Sequence, residues 1–445
     1  MVQRLKSSSG DKISSTKWGV PIADPLGHDK KYETEASFRS IEEFILGVGF
    51  GEKKRSVHLP SILRVIRAHL DMDVAFISEF KEGRRYFKYV DQDDNGESLI
   101  PGTSDPLEDT YCQRIVDGRL PELIPDTSVV PAARVLAATV AGLVGSHLSI
   151  PIKRRNGEVF GTFCCFSSAP HHSLNERDHR LIRAFAQIVA EQIEDNLVAQ
   201  DLRLAMEDRV GSLMAGNGLT MAYQPIYQIT DSKVVGFEAL ARFSDPPLQG
   251  PDVWFREAGQ VGLGVLLEIR AIELALQGMG QLPGNIYVSM NASPETVLEG
   301  GLGELFHAMP LERIVLEVTE REAVEAYEPL KSAIAPLRNR GLRLAIDDAG
   351  AGYASFRHIL NLAPEIIKFD ISITRNIDND RSRQALVTAL VGFAKTTGCE
   401  IVSEGVETAA ELAALCRLGV NHAQGYFLDR PMPIKRAMVL ADRLS

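Results

Sequence analysis

The residue types best suited to chemistry in this 445-residue chain are carboxylates and amides spaced through its second half. Glu238, Asn291, Glu317 with Glu320, Asp347-Asp348, Lys368 with Asp370, Glu404 and Gln424 each lie in or directly after a short apolar run. A lone acid in such a place ordinarily caps a helix or faces water. Gathered together, so many carboxylates repel one another, and cations must offset that repulsion. The set offers oxygen ligands with no Cys or His, which suits hard ions such as Mg²⁺ or Mn²⁺ rather than zinc. Adjacent aspartates let one carboxylate bridge two ions, the arrangement used for in-line phosphoryl displacement.

The apolar runs that must position these groups are Met221–Tyr227, Val234–Arg242, Ile286–Asn291, Ile314–Thr319, Leu342–Asp347, Ile366–Asp370, Glu400–Glu404 and His422–Tyr426. Eight strand candidates with helical patterns between most of them predict an α/β fold, a TIM-like (β/α)₈ barrel over residues 207–445. In such a barrel the C-terminal strand ends converge on one rim. The first half predicts a separate mixed α/β sandwich over 41–197. Its strands are Val74–Ile77, His147–Ile152 and Val159–Cys165, the last two joined by the turn signal Arg155-Asn156-Gly157. Residues 175–206 lack proline and glycine and repeat apolar residues at helical spacing, predicting a long helical linker. That helix either packs at the end of the first domain or pairs with its mate in a homodimer.

The length alone implies two domains. The net charge of −11 comes mostly from the second half, which disfavours long nucleic acid as a partner. No run approaches a membrane span, and the basic first residues precede no apolar segment, so residues 1–40 read as a disordered tail of a cytoplasmic protein. Five scattered cysteines read as reduced thiols, with Cys164 and Cys165 on opposite strand faces.

From Tyr223-Gln224-Pro225-Ile226 to Pro431 the chain resembles the EAL-domain cyclic di-GMP phosphodiesterases. The matching motifs are Glu238-Ala239-Leu240, Asn291, Glu317-Val318-Thr319-Glu320, Asp347-Asp348, Lys368, Glu404-Gly405-Val406-Glu407 and Gln424-Gly425-Tyr426. The resemblance implies two metal ions, Mg²⁺ or Mn²⁺. One would be held by Glu238, Asn291, Glu317 and Asp347, the other by Asp347, Asp348 and Glu404. It gives Lys368 the attacking water or scissile phosphate, and Glu404 a second role as general base. Gln224, Arg242, Asp370 and Gln424 would contact the dinucleotide, with Gln424 and Glu407 also orienting ligands and Glu320 anchoring the loop after Asp348. The implied reaction opens cyclic di-GMP to linear pGpG. A non-catalytic cyclic di-GMP receptor is the alternative, and the intact ligand set favours the enzyme.

The loop Asp347–Ser355 departs from the family, with Ala349, Ala351 and Ala354 where an aromatic and two hydroxyls are usual, and is expected to be the regulated element. Ala258-Gly259 is a second departure, where Ala-Glu is usual. Gly300–Glu304 lacks the acidic pair of a cyclase motif and reads as a loop. The first half resembles a GAF sensor domain through Thr110-Tyr111-Cys112, Asp117–Pro121 and Gly161–Cys164. It lacks the cyclic-nucleotide signature, and Gln113 rather than His follows Cys112, so its ligand is left unidentified or absent. His147 is the one candidate haem ligand there, with a core histidine as the plainer reading.

Overall fold

The computed structural model describes residues 58–93, 99–318, 327–349 and 353–444, and the chain divides into two compact units at Val198/Ala199. The expected tail 1–40 lies outside the described residues.

The first unit opens with α1 (Leu59–Leu70), whose apolar residues at three- and four-residue spacing bury one stripe: Leu59, Ile62, Leu63, Ile66 and Leu70. An antiparallel sheet follows, made of β1 (Val74–Lys81), β2 (Arg84–Gln92), β3 (Ser104–Pro106), β4 (Leu123–Ile124), β5 (Ser146–Lys153) and β6 (Val159–Ser167) in the order β3-β2-β1-β6-β5-β4. Three short helices, α2 (Tyr111–Val116), α3 (Pro131–Arg134) and α4 (Ala137–Val140), connect the strands. The two-residue period sends Ala75, Ile77, Phe163 and Cys165 toward α1 and the long helix α5 (Glu176–Ala215). Phe76, Phe87 and Cys164 go to the opposite face with Cys112. The two adjacent cysteines therefore point apart, as expected.

Helix α5 runs past Met206, where the linker was expected to end, and contains Gly211. A helix-interior glycine costs about 1 kcal/mol. Here Val210 and Leu213 are buried against Leu219, Trp254 and Leu267, which offsets that cost.

The second unit is a closed eight-stranded barrel. Its strands are β7 (Leu219–Gln228), β8 (Val234–Phe243), β9 (Tyr287–Ala292), β10 (Ile314–Val318), β11 (Arg343–Ala349), β12 (Ile366–Phe369), β13 (Glu400–Ser403) and β14 (His422–Ala423), with β14 pairing back to β7. Between them run α6 (Pro251–Gln260), α7 (Gly264–Met279), α8 (Pro294–Glu299), α9 (Leu302–Leu305), α10 (Tyr327–Arg338), α11 (Tyr353–Leu362), α12 (Ile371–Thr374), α13 (Arg381–Thr397) and α14 (Ala409–Leu418). A short β15 (Met432–Pro433) and α15 (Ile434–Leu444) close the chain. The expected loop at 300–304 is partly the single turn α9, entered through Gly301 at φ 66°.

One strand breaks the expected regularity. β7 pairs antiparallel with both β8 and β14, while β8 to β14 are parallel. Only residues 229–233 separate β7 from β8, far fewer than the dozen or so a crossover requires. The C-terminal ends of seven strands, not eight, therefore share one rim.

Outward residues such as Phe237, Val288, Leu316 and Ile346 pack under the helices. Inward residues Ile226, Tyr287, Val315, Ala345, Ile366 and Val402 fill the barrel interior. Gly236 is required here: a Cβ would lie 2.5 Å from the Tyr287 ring.

Candidate functional site

Above that apolar plug the same two-residue alternation turns the next inward positions to one level of the barrel. Glu317 lies directly opposite Asn291 on β9, and Gln224 opposite Glu238 on β8. Adjacent aspartates on a regular strand would face opposite ways. β11 avoids this with a register shift between Ile346 and Ala349, so that Asp347 and Asp348 together bulge opposite Lys368, and Asp348 takes φ 54°. Aspartate tolerates that left-handed conformation better than most residues. Carboxylate oxygens of Asp347, Asp348 and Glu404 consequently lie within 4.8 Å of one another.

Lys368 stands at the centre. It is 1% exposed, and its Nζ lies 2.6 Å from Glu404 Oε1, 2.7 Å from Glu317 Oε2, 3.3 Å from Glu238 Oε2 and 3.4 Å from Asp347 Oδ1. Four carboxylates facing one ammonium leave a large negative excess in a site shielded from water. Burial and the neighbouring carboxylates push Glu317 up to about 8, with Lys368 only partly opposing them. Glu404 is raised above the carboxylate range by burial and by Asp347, Glu238 and Glu317, again against Lys368. Lys368 itself is held protonated: burial opposes its charge, and the four carboxylates outweigh that.

The site fits divalent cations on its own chemistry. Asp347 Oδ1 is buried without a hydrogen-bond partner, the donors are all oxygens, and the uncompensated charge is negative. Gln424 bridges the cluster, its Nε2 donating to Glu238 Oε2 at 2.6 Å and to Glu404 Oε1 at 3.1 Å. That contact orients two carboxylates. Gln224 is buried and donates to the Asp429 carbonyl at 3.4 Å.

Other expected residues sit elsewhere. Arg242 is exposed on β8 and donates to the Ala241 carbonyl at 2.8 Å. Asp370 caps α12, accepting from the Ser372 amide at 2.8 Å. Glu407, expected to orient ligands, is exposed and pairs with Arg375 at 2.9 Å. The chain turns outward after Glu404, so Glu407 is not brought to the cluster. Glu320 and residues 350–352 lie outside the described residues. Ala349 belongs to β11 and is buried in the core, so an aromatic there would enter packed space rather than fasten a loop.

Sequence reasoning missed Glu411. Its carboxylate accepts from the backbone amides of Asn376, Glu407 and Thr408 at 2.9–3.0 Å, tying down the segment that follows Glu404. Burial opposes its ionisation, but these amides hold its pKa below the usual value. The signal was legible as Thr408-x-x-Glu411, a capping box at the start of α14.

Residues 202–431 match the family model of the EAL domain. The chain belongs to the EAL-domain family. Residues 59–194 match a GAF domain, so the EAL barrel follows a GAF unit. Among relatives, the bifunctional diguanylate cyclase/cyclic di-GMP phosphodiesterase MucR of Pseudomonas aeruginosa is 31% identical over 253 residues, covering 54% of this chain and 35% of that protein. The probable cyclic di-GMP phosphodiesterase PdeD of Escherichia coli is 28% identical over 248 residues, covering 54% and 46%. The chain thus spans less than half the length of these curated relatives. The EAL enzyme Bd1971, solved with cAMP and cyclic di-GMP bound, shares the fold with a TM-score of 0.52 at 17% identity, over 83% of this chain and 93% of that one. Among the described residues no helix is long and apolar enough to cross a membrane.

Proposed function

We propose that this EAL-family chain hydrolyses cyclic di-GMP to linear pGpG with two divalent cations, Mg²⁺ or Mn²⁺, at the barrel rim. The observation that carries the reading is the convergence of Glu238, Glu317, Asp347 and Glu404 on Lys368. Glu238, Asn291, Glu317 and Asp347 would hold one ion, and Asp347, Asp348 and Glu404 the other. When bound, such ions supply charge neutralisation at the phosphate and a more acidic water.

The chain's own groups do the rest. Glu404, whose carboxylate lies beside those of Asp347 and Asp348, takes the proton of the attacking water. Lys368 directs its ammonium to the phosphate oxygens as the water adds in line, the P–O3′ bond breaks, and the departing O3′ takes a proton from solvent water. Gln424 keeps two ligand carboxylates aimed, while Gln224, Arg242 and Asp370 contact the dinucleotide. The names of the relatives support the substrate. The protein acts in the cytoplasm as a homodimer, with the GAF unit (41–197) and the helical linker regulating the barrel (207–445).

Purified chain incubated with cyclic di-GMP and Mg²⁺ or Mn²⁺ should release pGpG, resolved by chromatography, and Glu238→Ala should abolish release. Tight binding without turnover in either metal would establish a receptor instead.

A further inference from the structure

The GAF sheet carries a polar cluster where its apolar pattern would place core. On the face covered by α2, Ser78, Ser149, Thr162, Cys112 and Cys164 are all buried. The Cys112 and Cys164 Sγ atoms are 3.4 Å apart, across 52 residues of sequence. Cys164 Sγ also meets Ser149 Oγ at 3.0 Å and Thr162 Oγ1 at 3.1 Å. Arg85 sends its guanidinium into this cluster, with Nη1 3.1 Å from Cys112 Sγ and Nη2 2.5 Å from Asp105 Oδ2. It lies against the Phe76 and Phe87 rings, 5.4 and 4.8 Å from their centroids. Packing alone asks for no arginine beside a buried thiol, since a free cysteine in a core behaves as a small hydrophobe.

We propose that Cys112 and Cys164 are a hydroperoxide-sensitive dithiol that closes to a disulfide within the GAF unit. The two sulfurs are inequivalent, as the chemistry requires. Burial disfavours a Cys112 thiolate, but the Cys164 hydrogen bond and the Arg85 charge outweigh it and bring its pKa down to about 6. Cys164 is pushed up by burial and by Cys112, so it keeps its proton. Cys112 thiolate attacks one peroxide oxygen, the O–O bond breaks, and hydroxide leaves. The resulting sulfenic acid is attacked by the Cys164 sulfur, the S–O bond breaks, and the departing hydroxide takes the Cys164 proton as water. One thiolate, one thiol and one hydrogen peroxide give a disulfide, one water and one hydroxide. A disulfide needs about 2.05 Å between sulfurs. A shift of about 1.4 Å from the observed 3.4 Å, in the six-residue helix α2, closes that distance. Cys165, one residue on, packs on the far face with Ala75 and Ile77 and is not a partner. Asp105, 39% exposed, places the outer end of the arginine pair at the solvent edge of the cluster.

The test is a non-reducing peptide map of the native full chain after hydrogen peroxide. Trypsin releases Cys112 in residues 89–114 and Cys164, together with Cys165, in residues 156–177, and fragmentation of the linked pair by mass spectrometry tells the two apart. The two peptides should become linked and separate again with dithiothreitol. Cys112→Ser and Cys164→Ser should each abolish the link, and Cys165→Ser should leave it. In wild type the linking rate should rise with pH around a midpoint near 6. Arg85→Gln should move that midpoint up, and Arg85→Lys should restore most of the shift. The wild-type map needs no variant to fold. If it returns 89–114 and 156–177 unlinked, or linked through Cys165, Cys399 or Cys416, the proposal is wrong; an unchanged pH profile in Arg85→Gln removes arginine from it.

Discussion

Replacing Lys368 by methionine keeps the length of the side chain and removes the one cation shared by the buried Glu238 and Glu317 and the partly buried Asp347 and Glu404. Its ammonium touches Glu404 and Glu317 at 2.6 and 2.7 Å and the residue is buried, so solvent replaces none of the lost attraction. Removing one partner of a buried ion pair typically costs about 3–5 kcal/mol. Proton uptake by Glu317, already raised to about 8, relieves part of this, which places the expected loss at the lower end. In a unit of this size 1 kcal/mol moves the thermal midpoint by roughly 2–4 °C, so a fall of about 6–12 °C is expected without metal. Saturating Mn²⁺ should restore most of that loss, because ions binding only the folded state stabilise it by mass action. Differential scanning calorimetry of both proteins in chelator and in Mn²⁺ measures each term. An unchanged midpoint in chelator, or a loss that Mn²⁺ leaves intact, would refute the account of a charge-frustrated metal site.

Glu411→Ala strips three backbone amides of a charged acceptor. We expect a loss of about 2–4 kcal/mol and a clear rise in the Mn²⁺ concentration needed for half-maximal binding, read by calorimetric titration; unchanged metal affinity would show that the segment after Glu404 positions itself. His147 is buried, its Nδ1 lacks a hydrogen-bond partner, and its ring stacks on Tyr111 at 4.5 Å. Burial, then the Arg85 charge, depress its pKa to about 3. The unfolded chain takes that proton near pH 6.5, so the stability this neutral imidazole contributes is complete above 6.5 and declines as pH falls toward 3. His147→Phe should flatten the acid decline of amide protection in β5 and β6, measured by hydrogen exchange, and an unaltered slope counts against the assignment.

The inward parity of Glu238, Asn291, Glu317, Lys368 and Glu404 was legible from apolar runs ending in polar residues, because a strand's period is fixed at two. The bulge was not, since it depends on how β11 meets β12 rather than on Asp347-Asp348 itself. The same holds for Lys368, whose place among four carboxylates needs three-dimensional closure of the barrel. The reversed β7 could have been read from the short connection 229–233, which admits only a hairpin. The position of Glu407, exposed and paired with Arg375, was not legible, because motif adjacency to Glu404 says nothing of direction once the chain leaves the strand. The extension of α5 through Gly211 depends on burial of Val210 and Leu213 by residues distant in sequence.

The most direct test of the central claim is crystallography of the chain soaked with Mn²⁺ and cyclic di-GMP, with anomalous diffraction locating the metal. The account predicts two anomalous peaks at the barrel rim, both ligated by Asp347, one also by Glu238, Asn291 and Glu317 and the other by Asp348 and Glu404. An empty rim with Lys368 still contacting all four carboxylates, while the dinucleotide is bound, would contradict it.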